Sequence, residues 1–170
     1  ETGFLLSSDD NEIIEEGKKA GCPVYFKRPS DLATDEASLF SVLKHAVAWL
    51  VENEQWNPEI IVILQPTTPF RMGSHIDGVL KLLIKTNADA VITIRKPDYP
   101  PQWMLRLDKE KKITNLIQGG NLYKRRQDTP ETYQPAGMVY AFKTQPLHEI
   151  DTLFPFKDTR GYFVKKEDAI

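Results

Sequence analysis

Cysteine occurs once in these 170 residues, at Cys22, and a lone thiol excludes an internal disulfide and any cysteine-built metal site. No apolar run approaches the roughly 20 residues that cross a bilayer, and no cationic and then apolar leader opens the chain. A soluble, reducing compartment, the cytoplasm, is the expectation. Charge of one sign is missing as well: 22 Lys plus Arg face 24 Asp plus Glu, a net of −2. There is no global basic field of the kind that nucleic acid or an anionic membrane selects, so neither is expected as a partner. Any anionic ligand must be met by local groups. The phosphate-loop pattern, the dinucleotide-binding glycine fingerprint and the nucleophile elbow are all lacking. His45, His75 and His148 have no ligand spacing between them and read as solvated or packed helix residues.

Against these absences stand 41% hydrophobic residues, enough for one substantial core, so residues 1–170 read as a single domain. Phe4-Leu5-Leu6 resembles the last part of a core strand. Residues 8–12 supply a helix cap, and Gly21 suits a left-handed stop. Val24-Tyr25-Phe26 reads as a short strand. Thr34 or Asp35 is expected to cap a long helix bearing Leu39, Val42, Leu43, Ala46, Val47 and Leu50. A buried strand follows at residues 60–64. Ser74 and Asp77 then form a capping-box-like pair for a helix running to Lys85, before a second β-branched strand at residues 90–94. Strand, helix and strand in this order predict an α/β fold with a parallel sheet and right-handed crossovers. Proline density at residues 97–101 forbids a helix and starts an excursion from the sheet, with a hairpin whose polar tip is residues 108–112. Residues 118–135 read as a long irregular loop, 138–142 as a strand and 161–164 as another. Both ends of the chain look abrupt, so truncation at both termini is expected.

The segment Leu64-Gln65-Pro66-Thr67-Thr68-Pro69-Phe70-Arg71 concentrates polar groups at the carboxyl end of the strand at 60–64, where open α/β sheets collect ligands. Its prolines stiffen the connection and fix the directions of the Gln65 amide, the Thr67 and Thr68 hydroxyls and the Arg71 guanidinium. An ordinary strand-to-helix connection is the alternative reading. Arg28, Arg71, Arg125 and Arg126 lie in Pro- or Gly-punctuated connections, where a planar fork meets carboxylate or phosphate. For Arg125 a surface pair with a nearby acid such as Asp128 is preferred. Asp9 and Asp10 read as helix-capping groups rather than cation ligands. Trp103, Tyr133 and Phe154 could wall a pocket or simply close the core.

Four blocks carry a family resemblance: Ser7-Ser8-Asp9-Asp10-Asn11-Glu12-Ile13; Arg28-Pro29 with residues 32–35; the block at 64–71; and Arg126-Gln127-Asp128 with Pro130, Tyr133, Gly137 and Tyr140. In order and spacing they resemble the acylneuraminate cytidylyltransferases. The resemblance implies a three-layer, Rossmann-like nucleotide-diphospho-sugar transferase fold, with a mostly parallel sheet and an excursion at about 97–135. It implies CMP transfer from CTP to a sialic-acid-like nonulosonic acid, release of pyrophosphate, Mg²⁺ assistance and homodimerisation through that excursion. Arg28, Ala37 and Ser38 would then line the cytidine pocket. Gln65, Thr67, Gln127, Tyr133, Gly137 and Phe154 would serve the sugar, with Arg71 supporting the same loop and Arg126 meeting the anionic sugar or the phosphates across a dimer interface. The chain departs from the family pattern in four places. A basic triphosphate loop has no counterpart, and the metal-binding aspartate pair would begin just after Ile170. Ala136 stands where an asparagine is common, and Leu39 where a second serine is common. The polypeptide alone is therefore expected to be inactive and to hold no metal ligands. Two alternatives remain: a non-catalytic nucleotide- or sugar-binding domain on the same fold, or a cytidylyltransferase for another keto-acid sugar such as 3-deoxy-octulosonate, against which the glutamine-proline-threonine block argues.

Overall fold

The computed structural model describes residues 3–145, 147 and 157–169, so His148 and Phe154 lie outside the described residues. The chain divides into two compact units, residues 1–61 with 143–156, and residues 62–142 with 157–170.

In the first unit, helix α1 (Asn11–Lys19) opens as expected: the Asp10 carboxylate accepts from the Glu12 and Ile13 N–H groups at 2.7 and 3.1 Å. Gly21 follows its end at φ +77°, a conformation that glycine adopts without a Cβ penalty. Helix α2 (Leu39–Glu54) is capped by Ser38, whose hydroxyl accepts from the Ser41 N–H at 3.0 Å. The expected caps Thr34 and Asp35 lie upstream, where the Thr34 carbonyl instead closes a turn with the Ala37 N–H at 3.0 Å. α2 buries Phe40, Val47 and Leu50 and stops at Gln55, φ +54°. The two short strands expected at residues 4–6 and 24–26 do not form. Only isolated bonds join these stretches, Leu6 N–H to Pro23 O and Arg28 N–H to Ser8 O, both 2.9 Å. Pro23 has no donor to extend them into a ladder. Phe26 instead packs on His45 and Trp49, with ring centroids 4.9 and 5.3 Å away.

The strands β1 (Ile60–Ile63), β2 (Ala90–Arg95), β5 (Gln134–Lys143) and β6 (Thr159–Phe163) form one sheet in the order β1-β5-β2-β6. β6 runs parallel to β2 and β5 runs against it, so the sheet is mixed. β2 is buried on both faces along Ala90–Thr93, as a central strand should be. Its pairing with β5 is interrupted after Ile92↔Tyr140 and resumes at Ile94↔Pro135. Thr93, wholly buried, fills the break: its hydroxyl bonds both the carbonyl and the N–H of Val139 at 3.1 Å.

Helix α3 (Gly73–Thr86) packs on β2 and β6 through Val79 and Leu83, and at Gly78 it lies so close to the Tyr162 ring that a Cβ would sit 2.3 Å from the hydroxyl. The expected Ser74 and Asp77 cap is replaced. The helix begins one residue earlier than Ser74, and buried His75 accepts the Met72 N–H on Nδ1 at 3.1 Å. Ser74 is thus inside the first turn rather than at its cap.

The excursion contains the expected hairpin, β3 (Leu105–Leu107) against β4 (Ile113–Asn115). The Asp108 carboxylate closes its tip by accepting from the Glu110 and Lys112 N–H groups at 2.9 and 2.8 Å. Leu105, Leu107 and Ile113 remain exposed on it. Among the described residues no helix is long and apolar enough to cross a membrane.

Candidate functional site

The connection from β1 to α3 is held by one guanidinium. Arg71 donates through Nη1 to the Gln65 carbonyl at 3.1 Å, the Thr68 hydroxyl at 3.3 Å and the Met138 carbonyl at 2.8 Å. The Thr68 hydroxyl lies in turn 3.1 Å from the Gly137 carbonyl. Burial lowers the Arg71 guanidinium from its ordinary value. Gly137 is at φ +74°, and a Cβ there would meet Thr68 Cγ2 at 3.5 Å and Gln65 Oε1 at 3.8 Å. Those are ordinary contact distances, so it is the left-handed backbone, which L side chains rarely adopt, that favours glycine here. Gln65, Thr68, Arg71 and Gly137 are thus brought together, while Thr67 is exposed on the loop.

A second cluster lies at the root of the excursion. A cavity of about 210 Å³ is lined by Arg126, Gln127, Lys96 and Glu131, and its wall is stiffened by Pro97, Pro100 and Pro130. The Arg126 guanidinium is exposed and has no hydrogen-bond or ion-pair partner among the described residues. Its neighbour Arg125 is committed, pairing bidentately with Asp128 at 2.9 Å through each of two nitrogens. The Asp128 hydrogen bond raises the Arg125 guanidinium further above its ordinary value. Glu131 meets Lys96 Nζ at 3.1 Å and also accepts from the Tyr133 hydroxyl. The Lys96 bond, first, and the Tyr133 bond hold the Glu131 carboxyl below the usual carboxylate range, and the same contact raises the Tyr133 hydroxyl. Tyr133 stands edge-on to Phe163, centroids 6.1 Å apart.

The structure therefore gathers the second unit's candidates into two clusters. None of Gln65, Thr67, Arg71 and Gly137 lines the cavity around Arg126, although β5 carries Gly137 directly after the residues that line it. In the first unit, Arg28 is tied to Ser7: Nε donates to the Ser7 hydroxyl at 3.1 Å and Nη2 to the Ser7 carbonyl. Ser38 spends its hydroxyl on the α2 cap and Ala37 closes the turn before it. Sequence reasoning missed Lys96 and Glu131. The available signal was their position, each beside one of the prolines that open and close the excursion.

No protein-family model matches the chain. Curated relatives do. The N-acylneuraminate cytidylyltransferase of Escherichia coli O18:K1:H7 is 28% identical over 148 residues, which cover 86% of this chain and 33% of that protein. This chain is similar to the acylneuraminate cytidylyltransferases along most of its length. The CMP-N,N'-diacetyllegionaminic acid synthase of Campylobacter jejuni is 27% identical over 166 residues, 98% of this chain and 69% of the relative. The post-translational flagellin modification protein B of Campylobacter coli is 26% identical over 166 residues, with the same coverage of 98% and 69%. Among solved structures, a CMP:2-keto-3-deoxy-manno-octonic acid synthetase complexed with CTP superposes with a TM-score of 0.62 at 11% identity, over 96% of this chain and 72% of the other. That likeness shows the fold, the α/β fold expected from the sequence.

Proposed function

We propose that the protein transfers CMP from CTP to a sialic-acid-like nonulosonic acid and releases pyrophosphate. The reading is supported by relatives named for this chemistry on acylneuraminate and legionaminic substrates. The observation that carries it is the uncommitted Arg126 on a proline-walled cavity, at the root of the strand that also supports the glutamine loop. An uncommitted arginine fork in a preformed pocket suits a carboxylate or phosphate.

In this reading the sugar's anomeric hydroxyl oxygen attacks the α-phosphorus of CTP. The new P–O bond forms as the bond to the bridging oxygen breaks, the hydroxyl proton is lost, and pyrophosphate carries the electron pair away. The protein's share is positioning and charge neutralisation. Gln65 directs its amide at the sugar, Thr67 and the Gly137 backbone shape its approach, and Arg71 acts through the loop as a positioning residue. Arg126 and Gln127 meet the sugar's anionic end, with Tyr133 as a pocket wall. Arg28, Ala37 and Ser38 serve the nucleotide. A divalent cation, Mg²⁺, would supply further neutralisation. Among the described residues no group of three or more His, Cys, Asp or Glu side chains is placed to hold one.

The reading includes a homodimer in the cytoplasm. Leu105, Leu107, Ile113 and Leu122 are each more than half exposed on the excursion, an apolar surface that a second copy would cover. Arg126 would then act on the partner's glutamine loop, which accounts for two clusters in one chain. Incubating the full-length protein with CTP and N-acetylneuraminate, a legionaminic acid or a pseudaminic acid, and following the phosphodiester product by phosphorus NMR, tests the proposal. A CMP-sugar signal from at least one acid is expected. Its absence from all three contradicts the reading.

A further inference from the structure

The cations at the excursion root are not equivalent. Arg95 lies 3.6 Å from Asp98 and donates to the Lys96 carbonyl, and with the Gln134 amide turned to match its partners it bonds that side chain at 2.7 Å. Lys166 pairs with Asp98. Arg125 is locked to Asp128. Lys96 alone among these lines the Arg126 cavity, and its partner Glu131 lines it too. Their side chains are 61% and 63% exposed at 3.1 Å, a geometry in which an ion pair is weak and easily exchanged. Lys96 has three N–H donors and can hold Glu131 and a second anion together.

We propose that Lys96 is a second anion-binding side chain of the Arg126 cavity and that Glu131 is the internal anion which an incoming carboxylate or phosphate displaces or shares. The inference rests on the reaction proposed above and adds a specificity device to it. A ligand must carry enough negative charge to compete with Glu131 for Lys96, so neutral sugars are rejected for lack of a group that Lys96 and Arg126 can grip. The sugar's carboxylate and the nucleotide's phosphate share this chemistry, and the experiment separates them.

The full-length protein and its K96M, K96R and E131Q variants are titrated calorimetrically with N-acetylneuraminate and, separately, with CTP. K96M should weaken one of the two about tenfold, the loss of one charge-assisted contact. K96R should restore most of that affinity, and E131Q should tighten the same ligand severalfold, with the effects shrinking as salt rises. The ligand that responds identifies the source of the anion. A pair that merely braces the excursion would give losses in both K96M and E131Q, and that result overturns the proposal, as do unchanged affinities in all three. A wild-type protein that makes a CMP-sugar with unchanged affinities in the variants sinks this inference and leaves the reaction standing. One that binds neither ligand overturns both.

Discussion

The glutamine loop and the Arg126 cavity each present an arginine beside prolines, and they use it in opposite ways. In the loop, one Arg71 nitrogen is spent on the Gln65 and Met138 carbonyls and the Thr68 hydroxyl. At the cavity, Arg126 is exposed and has no partner among the described residues, while Lys96 and Glu131 neutralise one another beside it. A committed cation builds shape and an uncommitted one is left for a ligand, because a guanidinium whose donors are already matched has little more to gain from an anion. The same residue type in similar sequence settings thus divides into scaffold and recognition, and the hydrogen-bond partners distinguish the two.

The comparison breaks most visibly at Arg71. Replacing it with Met removes the guanidinium donor from the Met138 and Gln65 carbonyls, and a loss of about 1–3 kcal/mol in unfolding free energy is expected from denaturant titration, together with loss of activity. Gly137→Ala should cost about 1–2 kcal/mol, since the left-handed backbone at φ +74° resists a Cβ. Arg126→Ala should behave in the opposite sense, with stability within about 0.5 kcal/mol of wild type and sugar-acid kcat/KM down about tenfold or more. If Arg126→Ala unfolds the protein while Arg71→Met does not, the division of roles is reversed.

A smaller effect sharpens the picture of the excursion root. Lys166 chiefly, with Arg95, holds the Asp98 carboxyl below its ordinary value, and Lys96 chiefly does the same for Glu131. Groups lowered on folding contribute stability above the unfolded carboxylate range, lost as pH falls through it, so the melting temperature should decline as pH drops below about 4. The double variant D98N/E131Q should flatten that decline slightly. An unchanged slope would mean these exposed pairs contribute nothing measurable.

Much of this arrangement was legible in the chain because it is local. The apolar runs of β1 and β2, the Asp10 cap, the Asp108 hairpin tip and the Arg125 to Asp128 pair all depend on residues within a few positions of each other, and the structure has them where the pattern placed them. Competing local options were harder: Ser38 and Thr34 both suit a cap, and only packing decides that α2 starts at Leu39. The short run at 24–26 has strand composition, but Pro23 and the pull of His45 and Trp49 on Phe26 prevent a ladder. The least legible contacts join distant segments: Arg71 to Met138, Thr93 to Val139, His75 at 3.5 Å from Asp168, and Lys96 to Glu131. They depend on how β5 and β6 return to β2 after long intervening segments, and no periodicity encodes those returns.

The central claim is that Arg126 grips the anionic sugar while contributing nothing to the fold. Pyrophosphate release by full-length wild type and Arg126→Ala, measured over a range of N-acetylneuraminate, legionaminic acid and pseudaminic acid concentrations at saturating CTP, tests it most directly. The account predicts release with at least one acid, and a collapse of kcat/KM for that acid in the variant at an unchanged melting temperature. Equal kcat/KM in the two proteins, or no release from the wild type with any acid, would contradict it.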